Sequence, residues 1–203
     1  MGNEWQDKRK NEHFYKKAKK EGYRSRAAYK LKQLDGKYNL LKTGDIVVDL
    51  GSAPGGWIQV AREKVDEKGF VLGVDLDNIE KFNYENVINL QIDITEPETG
   101  EIIRKKLPNS PSVILSDASP DISGNWEVDH ARSIELSRAA LNLAEKLLER
   151  RGNILIKVFQ GEFFPELLKD VGSLFDFCKS SKPRASRKES AEIYIIGKGY
   201  KTD

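Results

Sequence analysis

Residues 45–57 read DIVVDLGSAPGGW, and this stretch decides how the chain folds. The first six residues are rich in β-branched side chains and predict a strand. The glycine-rich GSAPGG follows at once, and GWIQVAREKV after it has the periodicity of an amphipathic helix. A strand, a tight glycine turn and a helix form the first half of a βαβ unit. The rest of the chain repeats the pattern. GFVLGVDLD (69–77), VINLQIDI (87–94) and SVILSDAS (112–119) are further strands, with a helix in EPETGEIIRKKL between the last two. A long helix is predicted over about 129–151, where Ile134, Leu141, Ala144, Leu147 and Leu148 recur at helical spacing and Gly152 stops it. NILIKVF is a fifth strand, EFFPELLKDV a short helix, LFDFCKS a sixth strand and AEIYIIGKG a seventh.

Such alternation implies right-handed crossovers and a mostly parallel, doubly wound α/β sheet. Only SKPRASRKES separates the last two strands, too little for a helical crossover, so they form an antiparallel hairpin at one edge. The 203 residues suit one domain, with 1–42 as a basic helical extension in which Ser25 is the expected N-cap.

Composition narrows the function classes. No apolar run approaches the roughly 18 residues of a membrane span, and the N-terminus lacks a secretory h-region. The one cysteine, Cys178, excludes an internal disulfide, suits a reducing cytoplasm and reads as a small core residue. Net charge is only +2, yet it is segregated. Lys8, Arg9, Lys10, Lys16, Lys17, Lys19, Lys20, Arg24 and Arg26 crowd one end, SSKPRASRK lies near the other, and the acids lie mostly between. Two basic ends favour a polyanion partner if they meet in space. Trp5, Phe14, Tyr15 and Tyr23 among the N-terminal charges suit either base stacking or the anchoring of a helix.

In an open α/β sheet the ligand lies beyond the carboxyl ends of the strands. Glycine, with backbone N–H groups close by, belongs in the turn after the first strand. Here the spacing is neither G-x-G-x-x-G nor a P-loop, so an NAD-dependent oxidoreductase and a polyphosphate site are disfavoured. Asp75 follows Gly51 by a little over the roughly 20 residues at which an acid grips a ribose. Asp93 ends the third strand and suits an adenine amino group, and Asp117 ends the fourth. Each aspartate alone could be a cap or turn residue, but together they point to an adenosine-type ligand. His13 and His130 have no Cys/His partners at ligand spacing, so no metal is expected.

Lys157 is the anomaly of the fifth strand. A strand buried on both faces should be apolar, and a buried lysine is costly unless paired. One reading is a snorkelling side chain; the other is a functional amine at the strand's carboxyl end.

Taken together, DLGSAPGGW, GVDLD, SDASPDISG, KVFQG and SRAAYKL resemble, in order, the motifs of the FtsJ/RrmJ (RlmE) family of RNA 2′-O-methyltransferases, from about Tyr23 to Lys198. The resemblance implies the Rossmann-like methyltransferase fold with an antiparallel last strand, and S-adenosylmethionine as methyl donor. It implies a catalytic tetrad of Lys30, Asp117, Lys157 and Glu192, with Lys157 as proton acceptor or, if it stays protonated, as electrostatic support for the alkoxide. It carries cofactor contacts onto Gly55, Trp57, Asp75, Asp93 and Asp117. The departure is in SDASPDISG, where bacterial rRNA members have a methionine before the alanine. The implied substrate is a ribose 2′-hydroxyl, first of a uridine in large-subunit rRNA, in the cytoplasm. A tRNA anticodon loop is the alternative, and a non-catalytic RNA-binding module on the same fold is the rival from another class.

Overall fold

The computed structural model describes residues 2–202, with side chains from residue 12 onward; Trp5, Lys8, Arg9 and Lys10 therefore fall outside the described side chains. In chain order the elements are α1 (Gly2–Glu21), α2 (Ala28–Tyr38), β1 (Ile46–Leu50), α3 (Gly56–Val65), β2 (Phe70–Asp75), β3 (Val87–Gln91), α4 (Thr99–Lys106), β4 (Val113–Ser116), α5 (Trp126–Leu147), β5 (Asn153–Phe159), α6 (Phe164–Leu174), β6 (Phe175–Ser181) and β7 (Glu192–Tyr200).

The seven strands form one sheet in the order β3-β2-β1-β4-β5-β7-β6. β1 to β5 pair in parallel, while β7 runs antiparallel to both β5 and β6. The hairpin expected at one edge is there, but the last strand is threaded inside it and β6 takes the edge. Period-2 alternation sorts the side chains between two cores. On one face Val47, Leu115, Leu155 and Tyr194 pack with Leu31 and Leu34 of α2 and Ile58 of α3. On the other, Val48, Ile114, Ile154, Ile156 and Val158 pack with Leu141 and Ala144 of α5 and Leu167 of α6. Lys157 thus continues the row that contains Leu155.

Three expectations need correction. α5 starts at Trp126 rather than near Asp129, because Asn125 caps it by accepting from Glu127 N and Val128 N. It stops at Leu147 rather than Arg151. The chain then turns, with Arg151 at φ 65 and Gly152 N bonded to Glu149 O at 3.0 Å, so Gly152 belongs to a turn beyond the helix. Ser25 does not cap α2, whose N-cap is Ala27 without a side-chain bond. The serine hydroxyl instead lies against Gly56, where a Cβ would come within 2.2 Å of it.

The basic N-terminal segment packs onto the first core through Ala18, Tyr23 and Tyr29. Tyr23 donates to Glu63 at 2.6 Å, and Phe14 lies 5.4 Å from the Tyr29 ring. These aromatics anchor helices. Of Phe14, Tyr15 and Tyr23, only Tyr15 is well exposed. Cys178, on β6, is half-buried against the second core, and burial raises its thiol pKa.

Candidate active site

The carboxyl ends of β1, β2 and β4, with the turn beyond β3, surround a cavity of about 720 Å³ lined by Gly51, Ala53, Asp75, Asp93, Asp117 and Arg132, among others. The turn after β1 is bound tightly to its neighbour, since Gly51 N and Ser52 N both donate to Val74 O, at 2.8 and 3.2 Å. Gly51 has φ +70, and a Cβ on it would come within 2.4 Å of the Ala118 backbone. Glycine is required there twice over, by conformation and by space. Pro54 follows a cis peptide bond.

The acids are fixed before any ligand arrives. Asp75 accepts from Ala53 N at 2.8 Å and from Asp77 N at 2.9 Å, one on each oxygen. Asp93 accepts from the backbone and hydroxyl of Thr95 through one oxygen, at 2.8 and 2.7 Å. Asp49, on β1 beneath the loop, is completely buried and neither oxygen has a partner among the described residues. Burial raises its pKa well above the ordinary carboxylate value, with Asp117 and Asp75 adding to the effect. The strand pattern quoted Asp49 but gave no reason to single it out.

Two of the expected cofactor residues do not reach the cavity. Trp57 is 2% exposed and its indole N–H donates to Ala27 O at 2.8 Å. Its ring packs 5.9 Å from that of Tyr194, inside the first core. Gly55 has φ +109 and abuts the Phe82 ring, 2.6 Å from where a Cβ would stand. Both pack the loop and α3, and Gly51 and Ala53 line the cavity beside them.

Lys30, Asp117, Lys157 and Glu192 come together where β4 and β5 end and β7 begins. Lys157 Nζ donates to Asp117 O at 2.6 Å and lies 3.4 Å from Asp117 Oδ1. Lys30 Nζ is 2.9 Å from both oxygens of Glu192 and 3.9 Å from Asp117 Oδ1. The lysines are 8% and 7% exposed, so two positive and two negative charges balance with little help from water. Antiparallel pairing sets the arrangement, placing Lys157 opposite Tyr194 and Phe159 opposite Glu192.

Tyr194 is the member that the sequence reading missed. Its hydroxyl donates to Asp117 Oδ1 at 2.7 Å. Burial, then Asp117 and Glu192, push its pKa far above the ordinary phenol value, so it is a fixed donor. It stands two residues after Glu192, and alternation along β7 was the signal that could have found it. Burial alone would raise the Asp117 pKa. Lys157, Lys30 and the Tyr194 hydrogen bond outweigh it and hold the carboxyl below its usual value.

The two basic ends do meet. Ala185 N, between β6 and β7, donates to Gln33 Oε1 at 3.1 Å, and Lys37 Nζ donates to Ser181 Oγ at 3.4 Å. Arg26 and Arg187 line one hollow of about 430 Å³ beside Glu192. Burial and the Arg187 charge both lower the Arg26 pKa. Among the described residues, no three of His, Cys, Asp and Glu gather as a metal site, and no helix is long and apolar enough to cross a membrane.

Comparison with known proteins gives this arrangement its context. Residues 23–200 match the model of the FtsJ-like methyltransferase family. The chain belongs to that family. Among curated relatives, the "Ribosomal RNA large subunit methyltransferase E" of Methanococcus maripaludis strain C5 is 53% identical over 196 residues, 97% of this chain and 76% of that protein. The protein of the same name from Methanothermobacter thermautotrophicus is 49% identical over 201 residues, 99% of this chain and 95% of its own. A crystal structure from Plasmodium falciparum, described as a ribosomal RNA methyltransferase, superposes with a TM-score of 0.77 at 29% identity, covering 88% of this chain and 98% of that one. The sheet with its reversed β7 is therefore an FtsJ-like methyltransferase fold, and the cavity and charge cluster lie at its strand ends.

Proposed function

We propose that this chain is an S-adenosylmethionine-dependent RNA methyltransferase that modifies a ribose 2′-hydroxyl, of a uridine in large-subunit ribosomal RNA. The observation that carries the reading is the balanced cluster of two lysines and two carboxylates beside a cavity walled by the glycine turn. The cradle at Gly51 and the oriented Asp75 and Asp93 fit an adenosine moiety, and Asp117 borders both regions. S-adenosylmethionine, when bound, supplies a methyl group made electrophilic by its sulfonium.

A 2′-hydroxyl is a weak nucleophile until its proton leaves. Lys157 gives up its ammonium proton before the reaction, and its neutral Nζ then takes the hydroxyl proton as the oxygen gains the methyl group, which restores the balanced cluster. Asp117 holds Lys157 through its carbonyl and carboxylate, and Tyr194 fixes Asp117 in turn. Lys30, steadied by Glu192, brings positive charge to the oxygen as negative charge develops on it. RNA as substrate is supported by the meeting of the two basic ends beside Glu192 and by the names of the relatives.

The test uses purified protein, radiolabelled S-adenosylmethionine, and large-subunit rRNA and tRNA from cells lacking the gene. Label in rRNA, mapped by mass spectrometry to a ribose-methylated uridine and abolished by Lys157→Ala, supports the reading. Label confined to tRNA overturns the rRNA assignment. Label on a base, or full activity in the variant, overturns the chemistry, and no label in either RNA points to a non-catalytic binding module.

A further inference from the structure

Outside the tetrad, the start of α5 and the end of β5 carry an aromatic stack that the chemistry above does not use. Trp126 opens α5 and is 49% exposed. Its ring lies nearly parallel to that of His130 one turn later, at 5.6 Å and 13°. His130 in turn lies parallel to Phe163, at 5.7 Å and 5°. Trp126 also stacks at 6.2 Å and 19° over Phe159. That phenylalanine stands two residues after Lys157 and opposite Glu192. The exposed indole is therefore one ring away from the strand pair that holds the tetrad.

Several interactions hold this stack in place. Asn125 caps the helix under Trp126, and the Asp129 carboxylate accepts from Ser123 N, Ser123 Oγ and Gly124 N, at 2.8, 2.7 and 3.3 Å. His130 is buried, and its Nε2 accepts from Phe163 N at 3.2 Å. Gly161 passes so close to the imidazole that a Cβ would come within 2.7 Å of it. The loop from Asp117 to Trp126 thus ends in a flat, preset ring. Most tryptophan surface in a folded chain is covered, since covering it is among the largest gains that a side chain offers. Here half of one is left open where the loop after β4 enters α5, with Ile122 and Phe163 exposed as well.

We propose that Trp126 is a stacking platform for one unpaired base of the RNA strand adjoining the target nucleotide. The inference rests on the RNA reading above. Sequence-specific RNA contact depends on unstacked bases, and each finds in an exposed aromatic face a replacement for the neighbour it has lost. The platform's place over Phe159, at the same carboxyl end of β5 as Lys157 and opposite Glu192, favours a base over a protein partner, because the strand carrying the reacting ribose must pass that end of the sheet.

The experiment measures binding of a large-subunit rRNA transcript to wild type, Trp126→Ala and Trp126→Phe at several salt concentrations. Loss of one base stack weakens binding by about 5- to 160-fold in Trp126→Ala. The slope of log affinity against log salt stays at the wild-type value, because no phosphate contact is lost. S-adenosylmethionine binding stays near wild type in both variants, the melting temperature falls modestly in Trp126→Ala because the contacts with His130 and Phe159 are lost, and Trp126→Phe keeps most of the RNA affinity. The RNA-induced quenching of indole emission is smaller in Trp126→Phe than in wild type, since only Trp5 and Trp57 remain. Wild-type affinity in Trp126→Ala, a changed salt slope, or undiminished quenching in Trp126→Phe overturns the platform. Failure of the wild-type protein itself to bind the transcript overturns the RNA reading instead.

Discussion

Replacing Lys157 by methionine keeps the length of the side chain and removes its charge. In the folded protein the ammonium lies 3.4 Å from Asp117 Oδ1, and neither group is more than slightly exposed. At an effective dielectric of about 20, that separation corresponds to roughly 5 kcal/mol of attraction. Removing one member of a buried pair costs about 3–5 kcal/mol, most of it the penalty of the charge left behind. Asp117 would keep the Tyr194 hydroxyl at 2.7 Å and Lys30 at 3.9 Å, which argues for the lower end, about 3 kcal/mol. The pH dependence fixes the cause. The folded-state pKa of Asp117 is depressed, so its contribution is present above the unfolded value of about 4 and is lost as pH falls through the folded value. Urea unfolding followed by circular dichroism should therefore show the full deficit at pH 7.5 and a smaller one as pH drops below about 4. Lys157→Met combined with Asp117→Asn should recover most of the loss, since the neutral pair leaves no stranded charge. A single variant within about 1 kcal/mol of wild type at pH 7.5, or strictly additive losses in the double variant, would refute the charge-balance account.

Asp49→Asn tests the opposite sign. The folded pKa is raised, so wild type forfeits stability as pH rises above the unfolded value, and the melting temperature of the variant should gain on wild type between pH 5 and pH 8. A constant difference across that range would show that Asp49 is not protonated in the folded state. Gly51→Ala forces a Cβ against the Ala118 backbone at φ +70 and should cost about 1–3 kcal/mol, together with a loss of S-adenosylmethionine affinity in calorimetric titration. Tyr194→Phe removes one hydrogen bond to a carboxylate, worth about 1.5–3 kcal/mol in unfolding experiments. It should also shift the acid-side loss of stability to higher pH, because Asp117 loses a support of its charged form.

The order of strands and helices was legible because most strands are short β-branched runs closed by glycine or an acid, and these signals are local. What the sequence did not contain was the placement of β7 between β5 and β6. Both strands of a hairpin look alike from inside it, and only packing decides which one lies at the edge. Lys30 and Glu192 are 162 residues apart, and nothing near either one announces the other; the order of the family motifs supplied that pairing. Trp57 shows a second kind of long-range information. Its neighbours in GSAPGG suggest a ligand contact, yet α3 is amphipathic and the indole falls on the side that faces α2. The start of α5 was misread because apolar periodicity becomes visible only at Ile134, well after the Asn125 cap.

The reversed direction of β7 also bears on how the protein can be tethered. Tyr200 N donates to Gly152 O at 2.9 Å, and Tyr200 O accepts from Arg151 N at 2.9 Å, so the strand finishes beside the start of β5. Asn153 and Lys157 are four residues apart on that strand, roughly 13 Å at the usual strand rise. A fluorophore, bead or surface linker attached beyond Lys201 would hang from the floor of the sheet, with the cleft facing away from it. A bulky ribonucleoprotein particle could then approach an immobilised molecule without meeting the support.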